Sequence, residues 1–98
     1  MDYWVYILLC ENGAYYTGYT TDLARRYEEH VTGTDKCKYT RSFKPVKIAE
    51  AWQIPESKNV AMQVEKFIKR MTKKQKVALI AEPEKLLPLF ALEKERQV

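Results

Sequence analysis

Only three glycines, two cysteines and one histidine occur in the 98-residue chain, and no apolar run approaches the ~18 residues of a membrane span. Cys10 lies in an apolar run and Cys37 among lysines, with no Cys-x-x-Cys pair. With a single histidine to assist them, neither a zinc site nor a disulfide framework is indicated. Two reduced thiols in a cytoplasmic protein are expected instead. The opening "MDYWVYILLCENG" lacks the basic flank and small-residue cleavage site of a signal peptide. Disorder is excluded as well, because 46% of residues are hydrophobic and 31% charged, enough apolar side chains to build a core.

What is present is charge of one sign in one place. Residues 1–33 hold 2 basic and 5 acidic groups, residues 34–76 hold 12 and 4, and residues 77–98 hold 3 and 4. The middle is therefore strongly basic between weakly acidic ends. A solvated face with no partner can look like this, and so can the footprint of a protein that binds a phosphate backbone.

Hydrophobic periodicity orders the chain. Tyr3 to Cys10 is apolar throughout and reads as a strand buried on both faces. Glu11-Asn12-Gly13 signals a hairpin, with Ala14 to Thr20 returning. Thr21-Asp22 supplies a helix N-cap, the helix runs from about Leu23 to Val31, and Gly33 ends it. A basic loop from Thr34 to Pro45 follows. Val46 to Trp52 then alternates as a third strand with Val46, Ile48 and Trp52 on one face. A second helix from Ser57 to about Met71 gathers Val60, Val64, Phe67, Ile68 and Met71 into a stripe. Thr72 caps a short helix through Ala81, and a last helix beginning at or after Pro83 carries Pro88 in its first turn.

Two local tests bring polar groups together. A two-residue Asn12-Gly13 loop would point Tyr6 and Tyr16 to opposite faces. A three-residue loop with Gly13 in the left-handed bulge position puts both phenols on one face, with Tyr6 opposite Gly18. On the first helix, at about 100° per residue, Arg26 and His30 flank the apolar stripe while Arg25 points to solvent. Glu65 sits at the edge of the second helix's stripe. Each residue also has a plain structural reading: core tyrosines, a satisfied histidine, and a surface carboxylate paired with Lys69 for about 0.3–0.5 kcal/mol.

In order and spacing, "WVYIL" with Tyr6, "YTG" with Tyr16 and Gly18, Arg26, His30 and "VEKF" with Glu65 resemble the GIY-YIG nuclease superfamily. The likeness covers about residues 3–70, and the remainder resembles short stand-alone bacterial members and the Slx-type endonuclease domain. Two departures stand out: Trp4 where the first motif has glycine, and Thr17 where the second has isoleucine. Some members also place an asparagine after the glutamate, and none follows Glu65 here.

The resemblance implies an α+β domain of the α/β class, in which a small three-stranded antiparallel sheet is flanked by helices. It would form one domain over residues 1–98, with a motif core at about 3–70 and a helical C-terminal extension at about 72–98. It implies a metal-dependent endonuclease hydrolysing phosphodiester bonds of nucleic acid, DNA before RNA, with one magnesium or manganese ion on Glu65. Arg26 would stabilise charge on the phosphoryl oxygens, Tyr6 would take the proton of the attacking water, and Tyr16 and His30 would hydrogen-bond or relay. Tyrosine's ordinary pKa near 10 requires help from a cation, or else a metal-held water is the base. Lys36, Lys38, Arg41, Lys69 and Lys73 are the expected backbone contacts. Two other classes remain open: a nucleic-acid-binding module without turnover, and a protein-interaction domain using the apolar segment from Leu86 to Leu92.

Overall fold

The computed structural model describes residues 2–33, 37–55 and 57–96. The order is β1 (Tyr3–Cys10), β2 (Tyr15–Thr20), α1 (Leu23–Thr32), α2 (Lys38–Ser42), β3 (Pro45–Ile54), α3 (Lys58–Lys69), α4 (Lys73–Ala81), a 3-10 turn (Pro83–Lys85) and α5 (Leu86–Arg96). The three strands form one antiparallel sheet with β1 in the centre, between β2 and β3. This is an α+β fold.

The hairpin takes the three-residue form. Gly13 N–H donates to the Cys10 carbonyl at 2.9 Å, and Cys10 N–H donates to Ala14 at 2.9 Å. Gly13 stands at φ 82°, a conformation in which a Cβ would be strained. The register that follows sets Tyr6 opposite Gly18 and Leu8 opposite Tyr16. Caps likewise stop and start the helices where side chains can satisfy free backbone groups. Asp22 accepts from Arg25 N–H, Ser57 from Val60 N–H, and Thr72 forms a reciprocal capping box with Gln75.

Alternation along β1 divides the interior in two. Val5 and Ile7 face Ala61, Val64 and Ile68 of α3, with Leu79 and Leu86 completing that core. Tyr6, Leu8 and Cys10 face the other way, toward Tyr16, Leu23, Tyr27, Ile48 and Ala51. Thus α3 covers one side of the sheet and α1 the other. Trp52 Nε1 donates to the Pro83 carbonyl at 2.9 Å, tying the 3-10 turn to β3.

Two expectations need correction. Residues 38–42, expected within a basic loop, form a short helix; five residues are too few to display a helical period, and no side chain caps the end at Cys37. The third strand also fails to keep one face. Ile7 pairs with Glu50 but Leu8 with Ile48, so β3 carries an extra residue, and a β-bulge turns the side chains beyond it over. Ile48 consequently packs with the Tyr6 cluster and Trp52 with the Val5 cluster, while a second register shift, between Leu9 and Cys10, leaves Val46 as an extra residue, 58% exposed.

Candidate active site

Tyr6 reaches the site because the residue across from it has no side chain. A Cβ on Gly18 would lie 2.7 Å from Tyr6 Cζ, closer than carbon atoms tolerate. The phenol fills this gap and is almost fully buried. Its oxygen is 2.9 Å from His30 Nε2. Tyr16, two positions from Gly18 on the same face, packs its ring edge-on against His30, with centroids 5.1 Å apart.

His30 is completely buried, and its other nitrogen, Nδ1, is 2.7 Å from Thr40 Oγ1. Counting protons assigns the tautomer. The Thr40 hydroxyl donates to the Cys37 carbonyl at 3.4 Å, which leaves its oxygen to accept from Nδ1–H. Nε2 then accepts the Tyr6 proton. A continuous chain runs from the Tyr6 phenol through His30 to Thr40 and the backbone.

Arg26 joins the chain from α1. Its side chain is 21% exposed, against 75% for Arg25. It donates to Glu29 Oε1 at 3.0 Å, and its charge acts on the Tyr6 phenol, favouring the ionised form. Burial opposes its charge, but the bond to Glu29 and the nearby Tyr6 phenol outweigh this and hold the guanidinium firmly protonated. Burial pushes the Tyr6 phenol up to about 12 despite the pull of Arg26. Burial, assisted by the Arg26 charge and opposed by Glu29, pushes His30 down to about 4. At neutral pH the pair is therefore phenol and neutral imidazole beside a fixed cation.

The depressed His30 value has a consequence for stability. Between pH 6.5 and about 4 the unfolded chain binds a proton that the folded chain refuses, so stability rises with pH across that window. The loss from pH 7 to below 4 is on the order of 3 kcal/mol. Urea unfolding from pH 7 down to pH 4 should show it, and His30→Gln should remove this part of the slope. Equal slopes in both proteins would mean that His30 is not held neutral.

Glu65 arrives from the opposite side of the sheet, on α3. Its side chain is 14% exposed and lies 3.7 Å from Lys69 Nζ. The described contacts bring Tyr6, Tyr16, Arg26 and His30 together, and Glu65 is joined to Lys69 rather than to them. Among the described residues no three His, Cys, Asp or Glu side chains cluster to hold a metal. A single carboxylate of this kind suits a hard ion that keeps most of its waters, magnesium or manganese, and does not suit a closed all-protein site.

Of the basic residues expected to contact a backbone, Lys36 lies outside the described residues. Lys38 and Arg41 lie on α2, where only their backbone is described. Lys69 and Lys73 belong to a second group near the hairpin. Lys73 Nζ approaches Gly13, and Lys76, beside Tyr15 and Lys73, has its pKa lowered by burial and by the Lys69 charge. Thr17, where the motif has isoleucine, is buried opposite Ile7, and its hydroxyl has no hydrogen-bond partner among the described residues.

Sequence reasoning missed Thr40, which fixes the His30 tautomer, and Tyr39, which stacks on Tyr16 with centroids 5.8 Å apart at 20°. So short a segment carries no helical signal in its spacing, and both roles appear only where α2 meets His30 of α1 and Asn12 of the hairpin.

Residues 2–78 match the family of GIY-YIG catalytic domains. A UPF0213 protein of Halalkalibacterium halodurans is 41% identical over 83% of this chain and 84% of its own length. A UPF0213 protein of Halobacterium salinarum is 47% identical over 76% of this chain and 95% of its own. The solution NMR structure of a UPF0213 protein from Bacillus halodurans superposes with a TM-score of 0.53 at 38% identity, covering 89% of this chain and 94% of that one.

Proposed function

The chain belongs to the GIY-YIG family, in its UPF0213 branch, and from that premise we propose that it is a metal-dependent endonuclease cutting phosphodiester bonds in DNA. The observation that carries this reading is the hydrogen-bonded chain from Tyr6 through His30 to Thr40 with the Arg26 guanidinium beside the phenol. Hydrolysis of a phosphodiester needs a proton acceptor for water and a fixed cation for the phosphoryl oxygens. The closeness of Tyr6 and Arg26 on this sheet face supports assigning these two tasks to them.

Burial, which pushes the Tyr6 phenol up to about 12, makes free phenolate scarce at neutral pH. The tautomer offers another route. Tyr6 accepts the water proton as it passes its own to His30 Nε2, and Thr40 holds the imidazole in register. An anionic phosphate at Arg26 offsets the charge that opposes protonation of His30, so substrate itself makes the relay easier. Tyr16, packed on His30, directs its hydroxyl toward the nucleophile or the phosphate. Glu65 would hold the divalent ion, which would supply Lewis-acid stabilisation of the charge that develops on the phosphoryl oxygens.

Cleavage of labelled single-stranded, duplex, nicked and branched DNA and of RNA, with and without magnesium or manganese, tests this reading. Metal-dependent cuts in DNA are expected, and no cleavage of any substrate would overturn it. The pairing of Glu65 with Lys69 favours a second reading, a binding module without turnover, which requires binding that never leads to a cut.

The basic segment sets a further expectation. Each neutralised phosphate of duplex DNA contributes about −0.9 to the slope of log affinity against log salt. Lys38→Glu with Arg41→Glu should therefore flatten the slope by roughly two. An unchanged slope in a fluorescence-anisotropy titration would place the binding surface elsewhere.

A further inference from the structure

α2 does more than hold His30. It turns Thr40 inward, fully buried, and leaves two large aromatic residues one helical turn apart on the outside: Tyr39 is 38% exposed and Phe43 40%. With Tyr16 they form a row that begins in the candidate active site. The Tyr16 and Tyr39 rings stack at 5.8 Å and 20°, and the Tyr39 and Phe43 rings follow at 5.4 Å and 46°. The row is braced from the hairpin, where Asn12 Nδ2 donates to the Tyr39 hydroxyl at 3.2 Å while Asn12 Oδ1 accepts from Ala14 N–H. Apolar rings held this open to water need a reason, and α1 and the sheet do not cover them.

Their surroundings indicate the occupant. Residues 36–47 contain five lysines and arginines and no acidic residue, so an anionic polymer is attracted to the segment that displays the rings. An aromatic plane beside backbone-neutralising cations is the arrangement that holds unpaired bases, because every base offers a π-face while its phosphate stays near the cations. A base paired inside a duplex cannot present that face.

We propose that Tyr39 and Phe43 form a stacking platform for an unpaired nucleobase next to the scissile phosphate, so that the substrate is nucleic acid with a single-stranded or splayed-out nucleotide at the cut. The proposal rests on the nucleic-acid reading above, and it adds a substrate class that Tyr6, Arg26 and Glu65 do not define. Tyr16, at the inner end of the row, joins the stacked base to the reacting phosphate.

Binding measured without metal separates this proposal from turnover. Short single-stranded oligonucleotides of DNA and of RNA, and the same DNA strand made of abasic nucleotides, are titrated against the wild-type chain, Phe43→Ala and Phe43→Trp. Phe43→Ala should weaken binding of base-bearing strands by roughly 5- to 100-fold and leave the abasic strand unchanged, and Phe43→Trp should restore the loss. DNA and RNA should respond alike if the base is the ligand. Equal weakening of the abasic strand, or no weakening of any strand, overturns the platform. Cleavage with magnesium is scored separately: cuts that are equally fast in paired and unpaired DNA would retain the nuclease and remove the platform, whereas base-dependent binding without cuts would retain the platform and remove the nuclease.

Discussion

Cleavage by the Arg26→Ala protein should fall about 10²–10³-fold, the effect of removing one fixed donor from a developing oxyanion, while Arg25→Ala stays close to wild type. The two arginines are adjacent in the chain and differ in where the helix points them. Arg25 is 75% exposed and makes a loose 3.8 Å contact with Glu29, whereas Arg26 is held at 3.0 Å by the same carboxylate and its charge reaches the Tyr6 phenol. Arg26→Lys keeps the charge without the planar fork, so its rate should fall between those of wild type and Arg26→Ala. Glu65→Gln belongs to the same experiment. It preserves size but removes the charge that would hold a divalent ion, so turnover should disappear while binding persists. Single-turnover rates with saturating enzyme, beside anisotropy for binding, read both effects. Full-rate cleavage by Glu65→Gln, or an equal dependence on the two arginines, would overturn this division of roles.

Gly18→Ala should be as damaging through a different cause. The new methyl would lie 2.7 Å from Tyr6 Cζ, and the ring has nowhere to retreat, being buried and bonded to His30. Overpacking of this kind costs about 1–3 kcal/mol, which lowers Tm by roughly 4–8 °C for each kcal/mol in a domain of this size. Tilting the phenol would also break its 2.9 Å bond to Nε2, so activity should fall further than stability alone explains. A double-mutant cycle with Tyr6→Leu isolates the contact: Gly18→Ala should be nearly harmless once the ring is gone. An equal cost in both backgrounds would show that Gly18 matters for its backbone and not for the space it leaves.

The local chemistry of the chain was enough to determine where the hairpin turns, the ends of α1 and α4, the start of α3, and the face of α1 that carries Arg26 and His30, while two hairpin registers stayed open until the fold chose between them. A left-handed glycine in a three-residue turn, side-chain caps and a 3.6-residue period all act over a few neighbouring positions, and they leave their marks in sequence. Once the fold supplies the three-residue turn, strict alternation along the strands puts Tyr6, Tyr16 and Gly18 together.

Tertiary structure decided the rest. The bulge that separates Ile48 from Trp52 arises where β3 meets β1, and nothing within β3 signals it. The helix α2 is too short to be stable by its own backbone hydrogen bonds, and its place is secured by Thr40 meeting a histidine ten residues earlier. That contact chooses the His30 tautomer, and burial beside Arg26 chooses its charge. Which proton moves, and which rings stand open beside it, are properties of groups that only folding brings within 3 to 6 Å of one another, since desolvation and hydrogen bonding act through space and not along the chain.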